Sequence, residues 1–276
     1  MADELERVRK ALHELGKSLE SLPGNPAPKN VHKLRTSSRR VEAVAGVLKP
    51  ADRKRSRHLV KSIKPLRKAA GGVRDMDVLA ANARKLARYC AGESLNHLLA
   101  HLELARRQNA AELQHALHRR RKDAMEDLEE YSSAVQSALK PKKSNSHSSD
   151  QTNRAQEEVR SAAMNAVREL GYWKQLDGEN LHAFRLKVKH LRYTLQLDEH
   201  ADSDLMEALG DVQRRIGDWH DWEQLKEIAH QALVLEQDQP LLDRIDRTAK
   251  RRFDRALAAA NALHAKYLAM PPAAGV

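Results

Sequence analysis

The chain has 276 residues, 41% hydrophobic and 32% charged, with a formal net charge of +11 and a pI near 9.7. That is enough apolar material for one large or two smaller cores beneath a heavily charged surface. The single Cys90 excludes an internal disulfide and a cysteine-based zinc cluster and suits a reducing cytoplasm, and no apolar run is long enough to span a membrane.

Glycine, proline and aromatic residues are sparse, and long runs of Ala, Leu, Glu, Lys and Arg predict an all-α protein. The opening "MADELERVRKALHELGK" is an amphipathic helix with acids among its bases, and lacks the apolar core of a signal peptide. Helices are expected near 3–21, 29–48, 52–70, 74–91 and 94–139, with Pro65 a potential kink and the last helix open to a break. The polar, serine-rich "PKKSNSHSSDQTN", 141–153, reads as a flexible linker. Beyond it, helices are expected near 154–170, 180–199, 203–216, 219–236 and 240–269. The expected organisation is thus two helical halves, 1–140 and 154–276, joined by that linker.

The positive charge is concentrated. Residues 29–68 hold 14 Lys and Arg against 2 Asp and Glu, which accounts for the whole excess. A polyanionic partner is the physical expectation, because clustered like charges attract a polyanion and its counterions are released on binding.

The halves resemble each other. "VHKLR" at 31–35 matches "LHAFR" at 181–185, so His32 pairs with His182 and Arg35 with Arg185. "GGVRDMDVL" at 71–79 matches "GDWHDWEQL" at 217–225, pairing Gly71 with Gly217, Arg74 with His220, Asp75 with Asp221 and Asp77 with Glu223. Two motifs in one order at nearly one separation imply a duplicated unit, hence two similar antiparallel bundles about a pseudo-two-fold axis.

Each half carries cation stripes opposite core stripes. His32, Arg35 and Arg39 fall within roughly a 60° arc of their helix. Arg57, Lys61, Lys64 and Lys68 form a narrow row on the next. In the second half His182, Arg185, Lys189 and Arg192 share a face opposite Phe184, Val188, Leu191 and Leu195. Solvated faces usually interleave acids for i,i+4 pairs; the row from Arg53 to Lys68 has none, and repulsion that costs stability is explained if an anion relieves it. Where the first half has Arg57, Lys61, Lys64 and Lys68, the second has Ser203, Glu207, Gly210 and Arg214, so only Arg214 keeps the charge and the ligand is expected mainly on the first half.

"VHKLRTSSRR", "GGVRDMDVL", "LHAFRLKVKHLRY" and "IGDWHDWEQL" together resemble the CHAD family, the conserved histidine α-helical domain, over nearly the whole chain. The resemblance implies two four-helix-bundle-like halves around a basic cavity, non-catalytic binding of inorganic polyphosphate, and association with polyphosphate granules in the cytoplasm. It implies ligand-facing roles for His32, Arg35, Arg39, Arg40, His182, Arg185, Lys189 and Arg192, together with the basic residues of the 52–70 helix. Glu42 and His190 stand where the family usually carries bases, so Glu42 is excluded from the expected site. No alternating Glu-x-Glu-x-Lys strand motif of a fused triphosphate tunnel domain occurs, and the chain reads as a stand-alone domain without a cofactor.

Three other readings compete. RNA is also a polyanion; no aromatic residue lies within 29–68 to stack on bases, which leaves open nonspecific contact with the phosphates of a duplex or a tRNA. Asp75-x-Asp77 and Asp221-x-Glu223, with His220 beside them, would suit a magnesium-dependent polyphosphate or triphosphate enzyme; their place after a glycine at an expected helix start favours capping instead. His97 with His101 and His115 with His118 have zinc spacing but no complete ligand set. Trp219 and Trp222 read as packing residues, and Arg119, Arg120, Arg121 and Lys122, followed by acids, as a solvated face.

Overall fold

The computed structural model describes residues 2–24, 26–47, 53–90, 92–138, 148–173, 175–196 and 201–268. Among these residues there are eight α-helices and no strand: α1 (Ala2–Glu20), α2 (Pro28–Val47), α3 (Arg53–Arg84), α4 (Glu93–Ala138), α5 (Ser148–Gly171), α6 (Leu181–Leu195), α7 (Ser203–Ala232) and α8 (Gln239–Leu263). A 3-10 turn, Lys85–Arg88, follows α3, and a π turn, His264–Leu268, follows α8.

Two compact units result, one of residues 1–85 with 96–144 and the other of 86–95 with 145–276. In the first, four helices feed one core. α1 supplies Leu12, Leu15 and Leu19, α2 supplies Val31, Leu34 and Val41, α3 supplies Leu59, Ile63 and Leu66, and α4 supplies Leu113, Leu117 and Tyr131. These positions recur every three or four residues, so each helix buries one stripe and leaves the opposite face to its charges. Burial pushes the Tyr131 phenol up to about 12, with the nearby Ser56 hydroxyl at the start of α3 acting the other way. The second core draws on α5 (Leu170), α6 (Leu181, Phe184, Val188, Leu191), α7 (Leu209, Val212, Ile216, Trp219) and α8 (Ala256, Ala260, Leu263). Trp219 stacks edge-on against Phe253, and Trp173 against Phe184, which fits the expectation that Trp219 packs. Trp222 is also buried.

Several boundaries differ from the sequence expectation. The helices expected at 52–70 and 74–91 are one helix through Gly71 and Gly72, and those at 203–216 and 219–236 are one helix through Gly217. Glycine costs a helix interior only about 1 kcal/mol, which flanking core contacts outweigh. Pro65 lies inside α3 at an exposed position, as does Lys61, whose carbonyl loses its helical donor to the proline ring and faces water. α4 runs unbroken. Of the expected linker, 141–147 lie outside the described residues, whereas 148–153 belong to α5. No glycine or proline stands between Pro141 and Asn153 to stop the helix extending back.

One buried ion pair ties α4 to the elements that carry the basic motif. Arg106 donates from Nε to Asp77 Oδ1 at 2.7 Å, and from Nη2 to the carbonyl of Pro26 at 2.8 Å. The Asp77 side chain is 6% exposed and that of Arg106 14%. Asp77 is thus a structural anchor between α3, α4 and the segment entering α2. Removing one partner strands the other's charge in a site shielded from water. Arg106→Ala is expected to lower stability by about 3–5 kcal/mol, measured as the loss of unfolding free energy in urea; an unchanged denaturation midpoint would show that the pair contributes nothing.

Candidate functional site

In the first unit, α2 and α3 pack side by side and bring the two sequence motifs together. His32 is exposed, and Arg35 and Arg39 are half-buried. Arg35 reaches across to α3, where its Nη2 lies 3.9 Å from the Asp75 carboxylate. Its Nε is 3.9 Å from the place a Cβ would occupy on Gly71. Arg74, on the same turn of α3, is close enough to act on His32. Partial burial first, then the Arg74 and Arg35 guanidinium charges, hold the His32 pKa below the ordinary histidine value.

Farther back on α3, Arg57, Lys61, Lys64 and Lys68 are all exposed, and none is ion-paired or hydrogen-bonded to another described residue. The expected cation row therefore exists as a surface. Arg40 is aimed elsewhere: its Nη1 donates to Glu14 of α1 at 2.9 Å. Glu42 accepts from Arg67 Nε at 2.8 Å, which removes it from any anion contact and neutralises Arg67.

In the second unit α6 packs against α7. His182 and His220 lie ring against ring, with centroids 4.7 Å apart at 33°. Arg185 lies along α7: its Nε donates to the carbonyl of Gln213 at 3.4 Å, and its Nη2 is 3.0 Å from the Cβ position of Gly217. Arg192 lies over Gly210, 3.6 Å from that Cβ position, and donates from Nη1 to the Gln213 side-chain oxygen at 3.2 Å. Lys189 sits 5.7 Å from the Tyr193 ring centroid. Arg214 is exposed and paired with Asp211 on its own helix at 2.9 Å. Burial first, then the charges of His182 and Arg185, hold the His220 pKa below the ordinary range.

Four ordered motifs thus stand on two packed helix pairs, α2–α3 in the first unit and α6–α7 in the second. A family model described as the CHAD domain matches residues 6–230. The chain belongs to the CHAD domain family. Among solved structures it is similar to the crystal structure of the CHAD domain from the plant Ricinus communis, at 17% identity and a TM-score of 0.56, covering 98% of this chain and 89% of that one. At that identity the likeness speaks to the fold. A comparison with curated proteins finds no match.

Sequence reasoning did not place two members of the CHAD motifs at the site: Arg74, beside His32, and His220, against His182. Their signal was present in the alignment of the two halves, where Arg74 and His220 occupy one position. The expected grouping of His32, Arg35 and Arg39 on one face of α2 agrees with their placement; Arg40 and Arg214 stand apart, each tied to an acid. Among the described residues no three of His, Cys, Asp and Glu are grouped to hold a metal ion, so the histidine pairs on α4 have no third ligand there.

The two lowered histidines carry a consequence for stability. The folded chain binds fewer protons at His32 and His220 than the unfolded chain does, so stability is fully present above the unfolded value of 6.5 and is lost as pH falls through it towards the lower folded values. Between about pH 7.5 and about pH 5.5 the thermal midpoint is expected to fall without added anion, and to fall less in the His32→Gln/His220→Gln variant. Equal falls in both proteins would assign the pH dependence to other groups.

Proposed function

We propose that this CHAD domain binds inorganic polyphosphate without turning it over, and that it acts in the cytoplasm at polyphosphate granules. One observation carries the reading: on α2–α3 the Arg35–His32–Arg74 cluster adjoins a row of four exposed cations, Arg57, Lys61, Lys64 and Lys68, without acidic partners among the described residues. Such a row is electrostatically unfavourable alone and favourable beside a chain with a negative charge on every unit. Arginine forks grip two oxygens each, and lysines follow as mobile point charges. The second unit offers the same chemistry through His182, Arg185, Lys189 and Arg192 on α6. The acids that an enzyme would use have structural work: Asp77 holds Arg106 and Asp75 lies beside Arg35. Family membership supports the polyanion; the lack of aromatics in 29–68 favours polyphosphate over single-stranded RNA.

Titration with polyphosphate is expected to give an affinity that falls linearly with salt on logarithmic axes. Arg35→Gln/Arg39→Gln/Lys64→Gln is expected to weaken binding about tenfold or more and to flatten that slope. Bound phosphate favours the charged form of His32 and His220, so affinity is expected to rise as pH falls below 6.5. Salt-independent binding, or displacement by RNA at equal phosphate concentration, would overturn the reading, as would phosphate release that stops on Asp75→Asn.

Gly217→Ala separates binding from folding. The added methyl group falls 3.0 Å from Arg185 Nη2 and pushes that guanidinium off α7. Helix propensity gains about 1 kcal/mol at the same time. The expected result is several-fold weaker polyphosphate binding with little change in thermal midpoint; unchanged affinity would take Arg185 out of the site.

A further inference from the structure

A cavity of about 450 Å³ opens in the second unit between the segment before α4 and the first turns of α8, lined by Tyr89, Cys90, Pro240, Asp243, Arg244 and Arg247. Gly92, with φ 147° in a conformation that favours glycine, follows Tyr89 and Cys90, which line the cavity together with residues of α8. The Arg244 guanidinium lies over the Tyr89 ring, 4.0 Å from its centroid, and Arg88 approaches the same ring at 5.6 Å. The acid in the wall, Asp243, accepts a hydrogen bond from Gln239 at 2.7 Å. None of Arg88, Arg244 and Arg247 is ion-paired to another described residue, and Arg244 Nε is buried without an acceptor.

We propose that the Tyr89–Arg244–Arg247 pocket is a second anion site, which takes the phosphate group of a small molecule. The volume suits a ligand of mononucleotide size and falls in the range of small-molecule sites. Stacking on Tyr89 fixes the plane of Arg244, and a pre-set fork loses less freedom when it grips two phosphate oxygens. Arg244 and Arg247 lie beyond the stretch 6–230 that the family model matches, whereas Tyr89 and Cys90 lie within it. The proposal stands apart from polyphosphate binding at the histidine faces.

Cys90, the chain's single cysteine, reports on the pocket. The rate of its alkylation by N-ethylmaleimide, an uncharged reagent, would be followed with inorganic triphosphate or with adenosine 5′-monophosphate added separately. Several-fold slowing is expected. Slowing by both assigns the site to the phosphate group itself, by the nucleotide alone to a nucleoside phosphate, and by triphosphate alone to an inorganic chain. The slowing is expected to persist in Arg35→Gln/Arg185→Gln, which disables the histidine faces, and to be lost in Arg247→Gln, which leaves the Arg244–Tyr89 stack in place. No slowing by either compound would overturn the proposal. So would slowing that survives Arg247→Gln but is lost in Arg35→Gln/Arg185→Gln.

Discussion

A guanidinium comes closest to a neighbouring helix where that helix has no side chain, and Gly217, 3.0 Å from Arg185 at its Cβ position, is the tightest such approach among the described residues of the basic faces. Arg185 and Arg192 stand seven residues apart on α6. Gly217 and Gly210 stand seven apart on α7, and each arginine lies over one of them. Seven residues is nearly two helical turns, so both contacts fall on one line of approach. Held this way, the half-buried guanidiniums lie against α7 and have less rotamer freedom left to lose in any further contact. The histidines belong to the same arrangement: His182 packs on His220 one turn from Arg185, and Arg35 stands over Gly71 beside His32 in the first unit.

These contacts require the helices to be fixed in register, and the cores do that. Because α2 buries Val31, Leu34 and Val41, His32, Arg35 and Arg39 have one direction left to face. In the same way the buried stripe of Leu181, Phe184, Val188 and Leu191 sets the direction of Arg185 and Arg192. This is why the fold class and the cation stripes were legible from periodicity alone. Helix boundaries were less legible. Gly71–Gly72 and Gly217 resemble helix breaks in sequence, but they are positions of close approach: a Cβ on Gly72 would fall 2.4 Å from the Asn109 side chain of α4. Propensity counts the local cost of such a glycine and is blind to the neighbour that needs it.

The site divides along the same line. Residues that share a helix face, such as His32, Arg35 and Arg39, were readable because spacing fixes direction. Partners on different helices were not. The Glu42–Arg67 pair joins residues 25 apart, and the Arg106–Asp77 pair residues 29 apart, so no local pattern links them. Arg40 shows the converse limit. It sits among the bases of "VHKLRTSSRR", yet it lies on another side of α2 from Arg35 and meets Glu14. A motif read as a run of bases blurs that distinction, which the 100° step of the helix restores.

The correspondence between the halves gives Glu42 the position of Arg192, Arg67 that of Gln213, and Lys64 that of Gly210. In the first unit Glu42 and Arg67 cancel, and Lys64 projects into water among its row. In the second, Arg192 meets a neutral glutamine and occupies the room that Gly210 leaves. One location thus holds a cancelled pair in one unit and a net cation in the other, while the exposed row exists only on α3. The two units therefore distribute their charge differently. Both units carry half-buried arginines on the earlier helix, Arg35 and Arg39 on α2 and Arg185 and Arg192 on α6, whereas the row of long, exposed cations on the later helix stands on α3 alone. Exposed lysines extend the attractive field but lose rotamer freedom on contact, whereas seated arginines offer fixed forks at short range. The row of exposed cations thus stands on α3, and the seated arginines on α2 and α6.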